Sequence, residues 1–541
     1  MSLELQHGLH REAGDEEGDP PQSMDTQRRP RTLFFVLVPV LAPLIFLLLL
    51  EGSLRVAGIG APDISTDPAR GFLPFESVFR EVIDEDGIIW LAVRTPPHQL
   101  PFMKLRQFNS QSHPAEKPDG EYRILFVGGS LPYGWPYEDR TSFPRLLEVG
   151  LTAVQPEVAW RVINMGAPGW GTTRLRGLSE DLTRLDPDLV VVVSGNNEAL
   201  EASFAESVFE GREVRVLLLS QLSRRSHLVT LMMGAAEQLR GPSESSAPKP
   251  TVEPLEKRRA ALVGRFGENL AAMASTFLDR GSRVYLATVP VNLRSCPPLG
   301  RDGPGEARGS RDRTLATRYQ QAQDLLEQGR RAEALGLAEQ LARALPTSAR
   351  IHYLRAQALD ANGKAEDAAD AYRRALNLDP SMLRAFEALN AEVESVAAAT
   401  EASVVDLVEA IAMASGRQVP GDDLFLDNCH PNRRGAAILA LATAKRMARD
   451  SILRTEREWK ADFLRAIDEY LSTVHISDES RVEALKFLLF YHTTLNPDEE
   501  RAATLQREIQ TRDPDGRFAS PAFRERFFRS RSPSPRQEAA P

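Results

Sequence analysis

From Arg123 onward, short apolar runs end in glycine-bearing turns and alternate with stretches of helical periodicity, the pattern of a parallel sheet buried on both faces by helices. Five strands are predicted: RILFV at 123–127, RVINM at 161–165, DLVVVV at 188–193, RVYLATV at 283–289 and SVVDL at 403–407. Amphipathic helices separate several of them, at about 141–154, 172–184 and 256–280. A Pro/Ser-rich stretch at 241–254 reads as a linker or exposed loop. Before this region, from 51 to 121, short apolar runs mix with Pro and Gly and read as an irregular wrap or small strands.

One apolar run differs from the rest. Thr32 to Leu50 carries no charge and is long enough to span a bilayer as a helix. Arg28, Arg29 and Arg31 precede it and Glu51 follows, so the positive-inside rule puts residues 1–31 in the cytoplasm and everything after the span outside. A cleaved signal peptide is the competing reading, weakened by the long polar region before the run and by the lack of a small-x-small site after it. Pro39, Pro43 and apolarity on all sides argue against a buried core helix.

Between the fourth and fifth strands the chain repeats itself. Ala322, Leu325, Gly329, Ala334 and Pro346 recur 34 residues later as Ala356, Leu359, Gly363, Ala368 and Pro380. That period and those small positions resemble tetratricopeptide repeats, paired helices that stack through alanine and glycine. Phe386 and Leu389 fit the first helix of a third unit that returns to the sheet. The segment 451–517 is again helical, and 518–541, rich in Arg, Ser and Pro, reads as a disordered tail like 1–31.

Composition narrows the function. The 541 residues hold 42% hydrophobic and 26% charged positions, a globular balance that needs more than one module. With 66 basic and 75 acidic residues the net charge is −9, and apart from the arginines before the span there is no basic stripe, which excludes a nucleic-acid binder. Cys296 and Cys429 are the only cysteines, too few for a disulfide scaffold or a cysteine-based zinc site. Both fall in loops expected at one sheet edge; two free thiols are the default, and a bridge beside His430 is the alternative in an oxidising compartment.

Ligands of an open parallel sheet bind at the carboxyl ends of its strands, and the polar motifs of this chain collect there. Gly128-Gly129-Ser130 follows the first strand, GAPGWG at 166–171 the second, Gly195-Asn196-Asn197-Glu198 the third, and Asp427-Asn428-Cys429-His430 comes after the fifth. A serine hydroxyl becomes a nucleophile when a histidine takes its proton, and the histidine needs a carboxylate to fix its tautomer. Ser130, His430 and Asp427 supply the three roles, and the N–H groups of Ser130 and Gly169 with the Asn197 amide supply oxyanion donors. No metal or cofactor is called for. Tyr133, Trp135, Tyr137 and Trp170 lie beside these turns, either as a surface for stacking on a sugar ring or as packing for the loops.

The order and spacing of GGS (128–130), NMGAPG (164–169), GNNE (195–198) and DNCHP (427–431) resemble the SGNH (GDSL-type) hydrolase superfamily. The layout resembles its bacterial membrane-anchored forms with inserted tetratricopeptide repeats. The resemblance implies a flavodoxin-like three-layer α/β/α sandwich over 122–300 and 400–450, with a helical insertion at 312–398. It implies Ser130 as nucleophile, Gly169 and Asn197 in the oxyanion hole, and His430 as base supported by Asp427. Gly129 and Glu198 stand where the family usually has Asp, which leaves the chemistry and loosens the substrate class. The expected activity is an esterase that removes an acyl group, acetyl for example, from a glycan or small ester. The alternatives are an O-acyltransferase built on the same triad, and an inactive scaffold that binds a protein partner through its repeats.

Overall fold

The computed structural model describes residues 29–60, 77–95, 107–209 apart from Glu138, 219, 222, 225–240, 254–300, 310–416, 419–454 and 458–518. Both predicted disordered tails and the 241–254 linker fall, but for their end residues, outside that set. The chain forms two compact units, one of residues 1–62 with 223–239 and the other of 63–222 with 240–541.

The smaller unit contains α1 (Arg29–Ala57), and the predicted span 32–50 lies within it. The side chains of its first residues, to Val38, and of Val40 lie outside the described set. Among the described residues no helix is long and apolar enough to cross a membrane. Glu51 accepts from the N–H groups of His227 and Leu228 and from the Ser226 hydroxyl, a carboxylate set on the first turn of a second helix, His227–Arg240. The Leu228 N–H chiefly holds its carboxyl down at about 2.

In the larger unit, β1 (Phe79–Ile83), β2 (Ile89–Val93) and β3 (Ser112–Pro114) form an antiparallel sheet in the region whose sequence pattern was irregular. The main sheet contains β4 (Glu121–Gly128), β5 (Ala159–Gly166), β6 (Leu189–Val193), β7 (Arg283–Ala287) and β8 (Ser403–Val405). All neighbours are parallel, in the order β5-β4-β6-β7-β8. With β4 counted first this is 2-1-3-4-5, the flavodoxin-like doubly wound order, whose topological switch lies between β4 and β6.

Burial on both faces explains why β6 reads LVVVV: each of its residues is buried. One helical layer holds Phe143–Val154 and Arg433–Arg449, the other Thr172–Leu182, Leu255–Leu278 and Glu387–Ala399. Between β7 and β8 the repeat forms two helical hairpins, Ser310–Glu327 with Arg331–Ala344 and Ala349–Ala361 with Ala365–Leu378. Gly329 and Gly363 both take φ +74°, so the 34-residue period also holds in the backbone, where each hairpin turn needs a left-handed residue. Helix Glu387–Ala399 then returns to the sheet, its Asn390 bonded to both the N–H and the carbonyl of Val289.

Three C-terminal helices close the unit: Lys460–Thr473, Asp478–Phe490 and Glu499–Arg512. The first docks on helix Phe143–Val154, where Gly150 leaves a dent: a Cβ there would stand 2.3 Å from the ring of Phe463, itself fully buried. The ring fills space that a side chain would otherwise occupy. Phe463→Ala should therefore cost about 3–5 kcal/mol of stability, the usual range for emptying a buried aromatic position, seen as a lowered midpoint in urea; an unchanged midpoint would mean that this helix docks elsewhere.

Candidate active site

The nucleophile turn is built by close approach of strand ends. Gly129 N–H bonds the Val193 carbonyl at 3.4 Å, and the Gly128 carbonyl takes the Ala167 N–H at 2.9 Å, so the end of β4 is tied to β6 and to the turn after β5. A Cβ on Gly128 would sit 2.2 Å from the Val193 oxygen, and one on Gly129 would sit 2.6 Å from the Asn197 amide nitrogen. That contact explains why glycine precedes Ser130 in this chain. Ser130 opens a single helical turn, Ser130–Tyr133.

The three residues assigned to acyl transfer meet. Ser130 Oγ lies 2.7 Å from His430 Nε2, and His430 Nδ1 lies 2.6 Å from Asp427 Oδ2. The other Asp427 oxygen accepts the N–H groups of Cys429 and His430, at 2.9 and 2.8 Å. Burial works against the Asp427 charge, but His430 and these donors hold its carboxyl below the ordinary range. Burial likewise disfavours a charged ring, yet the Asp427 carboxylate raises the proton affinity of His430 above that of a free imidazole. That direction stabilises the imidazolium formed when Ser130 gives up its proton.

The proposed oxyanion donors stand at the same edge. Among the described residues no acceptor takes the N–H of Ser130 or of Gly169. Asn197 donates one amide hydrogen to the Trp170 carbonyl at 2.9 Å, leaving its second for another acceptor. Gly169 takes φ +78°, and its carbonyl receives Arg174 Nη2 at 2.6 Å.

Residues that no motif announced fix this turn. Arg174 pairs with Glu201 at 2.7 Å, both almost fully buried. Glu201 also accepts the N–H groups of Gly171 and Thr173, while Glu198 takes the N–H and hydroxyl of Thr172 and the hydroxyl of Ser194. Two carboxylates thus cap helix Thr172–Leu182 and pin the Gly169 loop to the Asn197 loop. Burial first, and then the Glu201 charge, push the Glu198 carboxyl up to about 7. Asn164, of the NMGAPG motif, bonds the Pro132 carbonyl and Asp139 and so braces the turn that follows Ser130.

Two other groups act from a distance in sequence. Asn292, after β7, donates to the Asp427 carbonyl at 2.8 Å and, through its N–H, to the Asn428 carbonyl at 3.0 Å. Arg384, on the segment leaving the repeats, is buried and donates to the carbonyls of Asn292 and Cys296. Next to it the Ala385 N–H bonds the Asn196 side chain at 2.8 Å.

The aromatic residues require a correction. Tyr133 and Trp170 are 0% and 2% exposed and are not available for stacking on a sugar. The Tyr133 backbone and Cβ stand against Gly166 and its ring lies 6.2 Å from that of Trp135, and Trp170 lies against Phe108 and beneath Arg174. Trp135 is also buried, 6.3 Å from the His430 ring and 5.1 Å from Phe487 of helix Asp478–Phe490. Phe487 in turn meets His430 edge-on at 5.9 Å, so a C-terminal helix roofs the triad. Cys296 and Cys429 are free buried thiols, without the alternative bridge, and burial raises both above their ordinary range.

Asp427→Asn should lower turnover by roughly 10⁴-fold and move the acid limb of kcat/KM to lower pH, because the carboxylate that raises the His430 proton affinity is gone; an unmoved limb would remove His430 from the base role. Glu198 holds its proton more tightly folded than unfolded, so its contribution to stability is complete below about pH 4.5 and is lost as pH rises through about 7. Glu198→Gln should therefore flatten the fall in stability across that window, about 3 kcal/mol for a shift of this size, as read by urea titrations at several pH values.

Residues 319–382 match the family model described as Tetratricopeptide repeat. No curated protein sequence matches the chain. Among solved structures the chain is similar to a GDSL-like lipase from Bacteroides thetaiotaomicron, with 12% identity over 61% of this chain and 88% of the other and a TM-score of 0.27. It is similar also to an acetylxylan esterase from Geobacillus stearothermophilus, with 14% identity, coverage of 62% and 95%, and a TM-score of 0.29. The alpha/beta hydrolase enzyme from the metagenome of Lake Arreo, Spain, has 14% identity, coverage of 62% and 97%, and a TM-score of 0.29. Of these comparisons the family model bears on the chain's organisation: it falls on the repeat segment read from the 34-residue period.

Proposed function

We propose that this chain is a membrane-anchored serine esterase whose catalytic part lies outside the cytoplasm, removing an acyl group, acetyl by preference, from a glycan or small ester through an acyl-Ser130 intermediate. The observation that carries the reading is the hydrogen-bonded line from Ser130 through His430 to Asp427. His430 takes the serine proton as Ser130 Oγ attacks the ester carbonyl. The N–H groups of Ser130 and Gly169 and the free Asn197 hydrogen receive the oxyanion. His430 then returns the proton to the departing alcohol; it next takes a proton from a water whose oxygen attacks the acyl carbon, and gives that proton to Ser130 Oγ as the free acid leaves.

The anchor and the location rest on the uncharged run 32–50 and the arginines before it. The repeats offer a protein partner a groove of about 480 Å³ between their inner helices and the chain around Pro497.

One observation favours transfer over hydrolysis. Ser130 and His430 are 8% and 6% exposed, and Phe487 meets the His430 ring edge-on; where bound substrate keeps water from so enclosed a serine, the acyl-enzyme passes to an acceptor hydroxyl. On that reading the product is an acylated sugar in place of free acid.

A membrane-impermeant fluorophosphonate applied to intact cells tests chemistry and location together. Wild type should be labelled and Ser130→Ala should not. Labelling only after lysis would overturn the location, and no labelling of folded wild type in either case would overturn the esterase.

A further inference from the structure

An ester has two halves, and oxyanion donors hold only the carbonyl between them. The alcohol half leaves on the side of the base, because its oxygen must receive the proton that His430 Nε2 carries. Whatever that oxygen bears therefore rests against the side chains around the His430 ring.

Trp135, the Cys429 sulfur and Phe487 stand there. The two aromatic rings lie 6.3 and 5.9 Å from the imidazole, and the sulfur is 3.9 Å from either ring nitrogen. Trp135 and Cys429 are buried and have no surface to offer a substrate. Phe487 differs from both. From Val482 to Leu489 every residue of helix Asp478–Phe490 is buried except this one, which keeps part of its ring open. It meets His430 at 80° and Trp135 at 87°, T-shaped to each. A partly open apolar ring set against the base is a surface for a ligand.

The helix is fixed to the loops that hold the triad. One turn beyond Phe487, the buried Tyr491 is hydrogen-bonded to the Cys296 side chain. Residues four apart share a helix face, so Phe487 and Tyr491 meet the catalytic edge together. Asn496 donates to the Ser295 carbonyl at 3.4 Å. Arg501 pairs with Asp422 at 2.6 Å, and Asp422 accepts at 3.0 Å from Asn292, the residue that holds the Asp427 carbonyl. The position of the Phe487 ring is thus set by the same bonds that set the carboxylate.

An aromatic ring recognises an apolar surface of its own breadth. Among alcohols that carry esters, a pyranose presents one in the face of its C–H bonds, and a short acyclic alcohol does not. We propose that Phe487 is a specificity-determining residue that contacts the alcohol half of the ester and selects alcohols borne on a sugar ring. The assignment rests on the esterase reading and narrows it on the leaving-group side.

Two esters of one acyl group, a mono-O-acetylated methyl xyloside and ethyl acetate, test it on the full-length chain. Phe487→Ala should lose about tenfold in kcat/KM on the xyloside ester, mainly through KM, and less than about twofold on ethyl acetate. Phe487→Tyr should keep both activities, and the loss in Phe487→Ala should be the same when butyryl replaces acetyl on the xyloside. Should Phe487→Ala lower the urea midpoint, Phe487→Leu, which keeps apolar volume without the ring, repeats the comparison. A wild type indifferent to the two alcohols, equal losses on both acetates, a loss that follows the acyl chain, or no loss on the xyloside ester would overturn the assignment. Wild type that is labelled by a fluorophosphonate yet turns over neither ester would overturn the assignment alone; wild type that takes no label would overturn the esterase reading with it.

Discussion

A carboxylate taken out of water keeps its charge only if donors surround it, and Asp427, 1% exposed, sets that demand at this site. The DNCH turn meets it by folding back, so that two of its own N–H groups and the His430 ring point at the carboxylate. The turn in turn needs its outward carbonyls satisfied, which Asn292 does from the loop after β7. That loop is gripped by Arg384 and by the Tyr353 hydroxyl, which donates to the Arg294 carbonyl at 2.7 Å. A continuous set of buried polar bonds therefore joins the repeat helices to the carboxylate, and such networks hold only when every member is in place.

The sheet and the meeting of Ser130, His430 and Asp427 were legible because their signals are local. Buried parallel strands write themselves as unbroken apolar runs, and a glycine-rich turn after each run marks the edge where loops meet. Ser130, Asp427 and His430 lie in those turns. Glu201, Arg384 and Phe487 do not; each belongs to a helix or connector whose sequence is ordinary, and each matters because of what the fold places against it. The aromatic cluster misled for a related reason. Position beside a nucleophile turn is no guide to exposure, since a tight turn packs close against its neighbours, as the Tyr133 backbone and Cβ do against Gly166. The antiparallel sheet β1–β3 was obscure because its strands are short and, in β1, largely exposed.

The two departures from the usual motifs acquire physical reasons. Gly129 leaves room for the Asn197 amide, and the longer Glu198 reaches Thr172 at the start of the next helix. Both changes serve the spacing between the nucleophile turn and the loops that flank it.

The insertion between Ala287 and Ser403 also bears on how the molecule assembles. Strand β8 pairs with β7 across that whole excursion, and closing so long a flexible loop is slow and entropically unfavourable. The hairpins remove the difficulty, since contacts between neighbouring helices are local and form early. Once they stack, helix Glu387–Ala399 is delivered to the edge of β7 through Asn390, and the last strand follows. On this physical argument assembly of the main sheet waits on the repeats, so a substitution that slows their stacking should delay the meeting of Ser130, His430 and Asp427 without touching any of those residues.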